Sequence, residues 1–250
     1  MSFQILFNAS LKVYSVDRSA AMTEVCVEMT KTEALNKLFD CWQQKVNAEG
    51  ERFSADGIVE DEKYSNARWR CLFLLKEPND HGDDIREHAR IAASNPGHRI
   101  RQYLTWGNLA RWSYGLLHDF AEFDAIENAW ESLLEVAVMN LKKTPGLAAA
   151  NSASLAAFAR HPGNRDFIIE ELRIIEPQVI ICCGRPVWEL LREVVGENLT
   201  NDVGNDCFTH DGIPILAHYH PAYWAPGPRR LYEPLMTALR RALVNPDPNR

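Results

Sequence analysis

The chain has 250 residues, 46% of them apolar and 24% charged, which is enough for one sizeable core and ordinary for a globular protein. Its formal net charge of −7 argues against a protein that coats nucleic acid, while leaving room for a local basic patch. No apolar run approaches the ~20 residues that a membrane span needs, and residues 1–11 lack the basic stretch of a secretory signal. The expectation is therefore a cytoplasmic protein with no membrane partner. Six cysteines occur and none forms a Cys-x-x-Cys pair. Cys71, Cys182 and Cys183 sit in or beside apolar runs, where a free thiol behaves as a small hydrophobe, so neither zinc spacing nor a disulfide framework is indicated.

In chain order, residues 1–28 show no clean period and read as a loosely ordered N-terminal extension. A capping box at Thr30-x-x-Glu33 then opens a helix carrying Leu35, Leu38, Phe39, Trp42 and Val46 at helical spacing. A polar stretch over residues 47–67 follows. Four apolar runs of strand length come next: Cys71–Leu75, residues 136–139, Val179–Cys183 and residues 213–217. Their near-continuous apolar character suits strands buried on both faces.

Helical patterns separate these runs. Residues 76–135 leave room for two or three helices and a turn at Asn95, Pro96 and Gly97, with Trp106, Trp112 and Trp130 reading as core. Phe167, Ile168, Leu172 and Ile175 form a stripe that ends before Pro177. Pro186 suits a first helical position, followed by Val187, Leu190, Leu191 and Val194. Leu231, Leu235, Leu239 and Leu243 form the last stripe, with Pro234 expected near its first turn. Strands alternating with helices imply an α/β fold, three-layer α/β/α, around a central four-stranded, mainly parallel sheet. Residues 29–244 are expected to make one domain, and residues 245–250 a flexible tail.

In an open parallel sheet, ligands bind beyond the carboxyl ends of the strands. The first run leads into Lys76, Glu77, Pro78, Asn79, Asp80 and His81. The second ends at Asn140, followed by Leu141, Lys142 and Lys143. The third meets Gly184, and the fourth runs into His218, Tyr219, His220, Pro221, Ala222, Tyr223 and Trp224. One edge thus receives a carboxylate, an amide and two histidines. A carboxylate can orient water or steady a cation, an imidazole can donate to an oxyanion, and an asparagine amide matches the edge of a base. His218 and His220 alone make a poor metal pair, since no third ligand of suitable spacing accompanies them.

The order of these pieces resembles the uracil-DNA glycosylase superfamily. The resemblance runs from Leu72 to the last helix and rests on Glu77-Pro78-Asn79, on the strand-end Asn140 with Lys142 and Lys143 behind it, on residues 167–184, and on His220-Pro221-Ala222-Tyr223. It implies that Glu77 and His220 are catalytic, the first toward a sugar cation and its water, the second toward the leaving base. It implies that Asn140, with Pro78 and Asn79, binds the base. Lys142, Lys143, Tyr223 and Trp224 would contact DNA, the aromatic pair acting as an apolar wedge. The partner implied is DNA, single strands included, or another nucleobase-containing ligand, with no cofactor, metal or iron–sulfur cluster. The chain departs from the family pattern at Lys76 and at Ala222, which stands in place of a serine. The alternative is a non-catalytic nucleotide or nucleic-acid binding protein on the same fold. A third reading is a hydrolase acting on a small nucleoside-like substrate through Glu77 and His220.

Overall fold

A computed structural model describes residues 29–47, 52–78, 83–146, 152–196 and 206–244. The expected extension over 1–28, the tail over 245–250 and Asn79 lie outside the described residues. Helix α1 (Lys31–Asn47) opens with the expected capping box made reciprocally. The Thr30 backbone N–H donates to Glu33 Oε2 at 2.9 Å, and the Glu33 N–H donates to Thr30 Oγ1 at 3.2 Å. Leu35, Leu38, Phe39 and Trp42 turn their shared stripe into the core.

Among the described residues the sheet has six strands where four were expected: β1 (Gly57–Ile58), β2 (Cys71–Leu75), β3 (Ala137–Asn140), β4 (Val179–Cys183), β5 (Cys207–His210) and β6 (Ile213–His218), in the order β1-β3-β2-β4-β6-β5. The four expected runs are its parallel centre, β3-β2-β4-β6. The two additions are antiparallel edges. Each escaped notice for a local reason. β1 is only two residues inside a polar stretch. β5 forms a hairpin with β6 through Asp211 and Gly212, both at positive φ (48° and 79°), and its residues alternate rather than run apolar. The Asp-Gly pair was the available signal.

Helices cover both faces. Cys71, Phe73 and Leu75 of β2 point to one side, where they meet α4 (Leu104–Leu117), with Trp112 and Leu109, and α8 (Pro228–Leu243), with Leu231 and Leu235. Leu72 and Leu74 point to the other, against α1, α6 (Pro162–Ile175) and α7 (Arg185–Val195). Burial on both faces is why these strands lack polar alternation. Between β1 and β2 the chain forms α2 (Asp61–Asn66), and between β2 and β3, besides α4, it forms α3 (Ile85–Ser94), with the expected turn at residues 95–97; α5 (Ser152–Arg160) precedes α6.

One helix start differs from expectation. Helix α8 begins at Pro228, so Pro234 is interior rather than in the first turn. Pro228 lacks only an amide that the first turn leaves unused, whereas Pro234 removes one helical hydrogen bond. Among themselves the parallel strands run second, first, third, fourth in chain order. The connections therefore reverse direction between β2 and β4, and the crevice of such a sheet opens there, beyond Leu75 and Cys183.

Candidate functional site

The register sets the strand ends level. Leu75 pairs with Asn140 and Cys183 with His218. Pairing continues past the strands, since the Leu141 and Lys142 N–H groups donate to the Leu75 and Lys76 carbonyls, and Gly184 N–H donates to the His218 carbonyl. Glu77 and Asn140 thus rise from adjacent strands. His220 follows a strand two places from β2, about 10 Å away at the usual strand spacing.

Glu77 is nearly enclosed, with 6% of its side chain exposed. Two ammonium groups flank it, Lys76 Nζ at 3.3 Å and Lys142 Nζ at 3.4 Å. Gly146 closes the far side: a β-carbon there would overlap the Glu77 carboxyl group, and the Gly146 N–H donates to the Pro78 carbonyl. Lys142 therefore turns inward, toward Glu77 and the Pro145 carbonyl, rather than outward toward a phosphate.

Asn140 is 1% exposed, and among the described residues its Nδ2 has no hydrogen-bond acceptor. Its backbone N–H donates to Asp56 Oδ2 at 2.7 Å. Asp56 belongs to a completely buried triad: Lys143 Nζ lies 2.5 Å from Asp56 Oδ1 and 2.8 Å from the Glu171 carboxyl, above the rings of Phe39 and Trp42. Burial raises Glu171 well above the usual carboxyl range, with Lys143 opposing and Asp56 reinforcing the rise. One ammonium faces two buried carboxyl groups, and the raised Glu171 pKa is the direction that relieves the excess negative charge. The expected DNA contact at Lys143 is corrected here: the residue has no exposed surface to offer a phosphate, and it pins Asn140's strand end instead.

His220 lies on an exposed loop whose geometry fixes its tautomer. Nδ1 accepts the Ala222 N–H at 3.1 Å, so in the neutral ring Nε2 carries the hydrogen and is the donor. Partial burial of the ring, then the Lys76 ammonium, lowers its pKa and favours that neutral form. The loop is tied to α4 by Asn108, a buried residue whose Nδ2 donates to the Pro221 carbonyl at 2.7 Å. Tyr219 and Tyr223 stack at 5.3 Å with both rings exposed, and Trp224 beside them is 75% exposed. His218, two residues earlier, takes the opposite course. It turns into the core, edge-on to Trp112, and burial lowers its pKa to about 4. β6 ends at His218, so strand alternation does not carry both histidines to one face.

The structure therefore brings Glu77, Pro78 and Asn140 together, sets His220 across the same edge, and exposes Tyr223 and Trp224. Sequence reasoning missed Asp56, Glu171, Asn108 and Tyr219. Glu171 gave a signal, as a charge three residues from Ile168 on an otherwise apolar stripe; Asn108 gave another, as an amide in an apolar helix. Cys71, Cys182 and Cys183 are buried thiols whose pKa values burial raises, which suits an inert role. Among the described residues no group of three or more His, Cys, Asp or Glu side chains could hold a metal ion, and no helix is long and apolar enough to cross a membrane. A shallow groove of about 250 Å³ lies between α1 and residues 53–55, lined by Asn36, Phe39, Asp40 and Asp84 among others; it holds neither Glu77, Asn140 nor His220. Comparison of the chain with protein-family models gives no match, and comparison with curated proteins gives none either.

Proposed function

We propose that this chain is a DNA glycosylase-like hydrolase on a uracil-DNA glycosylase-like fold, excising uracil or another altered base after the base leaves the stack. The observation that carries this reading is the Asn140 amide, a buried donor without an acceptor at the strand edge beside Glu77. An unmade hydrogen bond of this kind costs about 1–3 kcal/mol. A base carbonyl accepting from Nδ2 would cancel that cost. His220 supplies a second donor, Nε2–H, for charge that develops on the departing base. In the reaction the bond between C1′ and the base nitrogen breaks, and its electron pair goes to the base. Glu77 steadies the cationic sugar and takes a proton from the water whose oxygen bonds C1′; Glu77 then gives that proton up to solvent, and solvent protonates the base anion that the His220 Nε2–H has held.

The test is incubation of the purified protein with labelled single- and double-stranded oligonucleotides bearing uracil or another altered base, with alkaline cleavage revealing abasic sites. Glu77→Gln and His220→Ala should each lower product formation by about 100-fold. No product from folded wild-type protein on any of these substrates would overturn the hydrolytic reading.

One observation favours a second reading, a binding protein without catalysis. Glu77 is already committed to Lys76 and Lys142, which leaves its oxygens poorly placed to hold water. In that case wild-type protein retains nucleotide or oligonucleotide affinity, Asn140→Ala weakens it, and no abasic product forms.

A further inference from the structure

The His220 loop is joined through Asn108 to a guanidinium that has no carboxylate partner among the described residues. Asn108 uses both ends of its amide: Nδ2 donates to the Pro221 carbonyl at 2.7 Å, and Oδ1 lies 3.4 Å from Arg111 Nη1. Arg111 is half-buried one turn further along α4. Among the described residues no carboxylate lies within ion-pair distance of it, and that long bond to a neutral amide is its one hydrogen bond. Other part-buried arginines are better served. Arg86 is paired with Asp84, Arg90 is bound twice to the Val59 carbonyl, Arg101 reaches the Ala92 and Ala93 carbonyls, and Arg165 reaches the Val194 carbonyl. The room around the Arg111 head group comes from Gly107, where a β-carbon would stand 3.3 Å from Nη1. Burial without a compensating anion lowers the pKa of Arg111, as expected of a desolvated cation.

What lies around Arg111 indicates the kind of anion. Two exposed large side chains, Tyr103 and Leu104, stand at the start of α4, the turn before Asn108. The loop at the other end of the Asn108 link carries the stacked pair Tyr219 and Tyr223, and His220 with its Nε2–H. An aromatic shelf on that loop, with a fork of N–H donors joined to it through Asn108, suits a planar base linked to a phosphate.

We propose that Arg111 is an anion subsite that holds the phosphate of the nucleotide whose base faces the His220 loop. This rests on the base-binding reading above, but not on hydrolysis. The phosphate can belong to a DNA strand or to a free nucleotide, and the ligands chosen below separate the two. Lysine could supply the charge but not the two-pronged geometry.

Binding is measured by titrating full-length wild type, Arg111→Gln and Arg111→Lys with three ligands: a uracil-containing single-stranded oligonucleotide, deoxyuridine monophosphate, and deoxyuridine without phosphate. Arg111→Gln should lose about 10-fold or more in affinity for a phosphate-bearing ligand, with Arg111→Lys intermediate and deoxyuridine unchanged. Loss confined to the oligonucleotide assigns the phosphate to a strand; loss for the mononucleotide as well assigns it to the nucleotide itself. In wild type, phenylglyoxal modification of Arg111, followed by mass spectrometry, should slow when the phosphate ligand is present, a readout that needs no variant to fold. Equal affinity of wild type and Arg111→Gln for both phosphate ligands, or unprotected Arg111 at saturation, would overturn the subsite. Because excision is not the readout, an inactive protein that shows Arg111-dependent binding refutes hydrolysis and keeps the subsite.

Discussion

His218 and His220 stand two residues apart in opposite surroundings, and the difference has a measurable consequence. His220 keeps an Nε2–H donor on an exposed loop, whereas His218 is held neutral against Trp112. Its folded pKa of about 4 lies below the ordinary imidazole value of 6.5. Between those values the unfolded chain binds a proton that the folded one refuses. The stability associated with His218 is therefore fully present above pH 6.5 and is lost as pH falls toward 4, by roughly 2–3 kcal/mol. Urea unfolding at pH 7 and pH 4.5 should show a smaller drop in His218→Gln than in wild type; carboxylates that titrate in both proteins cancel in that comparison. A drop of the same size in both would remove His218 from the account. The sequence showed His218 and His220 as a pair, and only the end of β6 at His218 separates their environments.

At the scale of elements, the packing of α4 on α8 decides how the His220 loop is held, because α4 supplies both Asn108 and Arg111. Gly115 permits the close approach. A β-carbon there would collide with Tyr232 Oη and with Met236 Sδ. The Met236 end can swing aside, but Tyr232 Oη is fixed by a 2.5 Å bond to the Ala121 carbonyl. Alanine in place of glycine gains about 1 kcal/mol of helix propensity, while overpacking a filled contact costs about 1–3 kcal/mol. Gly115→Ala should therefore destabilise the protein by about 1 kcal/mol, read as a lower urea midpoint with an unchanged slope. A higher midpoint would show that α8 yields and that propensity wins. The helices themselves were legible as stripes of Leu, Ile and Trp. Which glycine admits a neighbouring helix was not, because that depends on the partner's side chains.

For the whole molecule, a net charge of −7 coexists with a site whose lysines are spoken for: Lys143 is buried in its triad, and Lys76 and Lys142 face Glu77. These three lysines therefore form no basic track for a nucleic-acid backbone. With one or two phosphate contacts on a single strand, raising salt from about 50 to 200 mM should weaken oligonucleotide binding only about three- to sevenfold. A fall of a thousandfold would indicate a groove of six or more phosphate contacts and would refute this picture of the surface.

The class of fold and the strand ends at which Glu77, Asn140 and His220 stand could be read along the chain. Apolar runs of strand length record burial on both faces, and the residues directly after each run must stand at that run's carboxyl end. Glu77, Asn140 and His220 could therefore be named from one dimension, because strand and turn are local. What each residue faces was set by packing in three dimensions. It turned Lys143 from a surface contact into the centre of a buried triad, because Asp56 and Glu171 reach it from distant parts of the chain. It gave Glu77 its two lysine neighbours, left the Asn140 amide without an acceptor, and set Arg111 beside the His220 loop. Charge pairing and desolvation act through space between residues far apart in sequence, and no spacing along the chain encodes them.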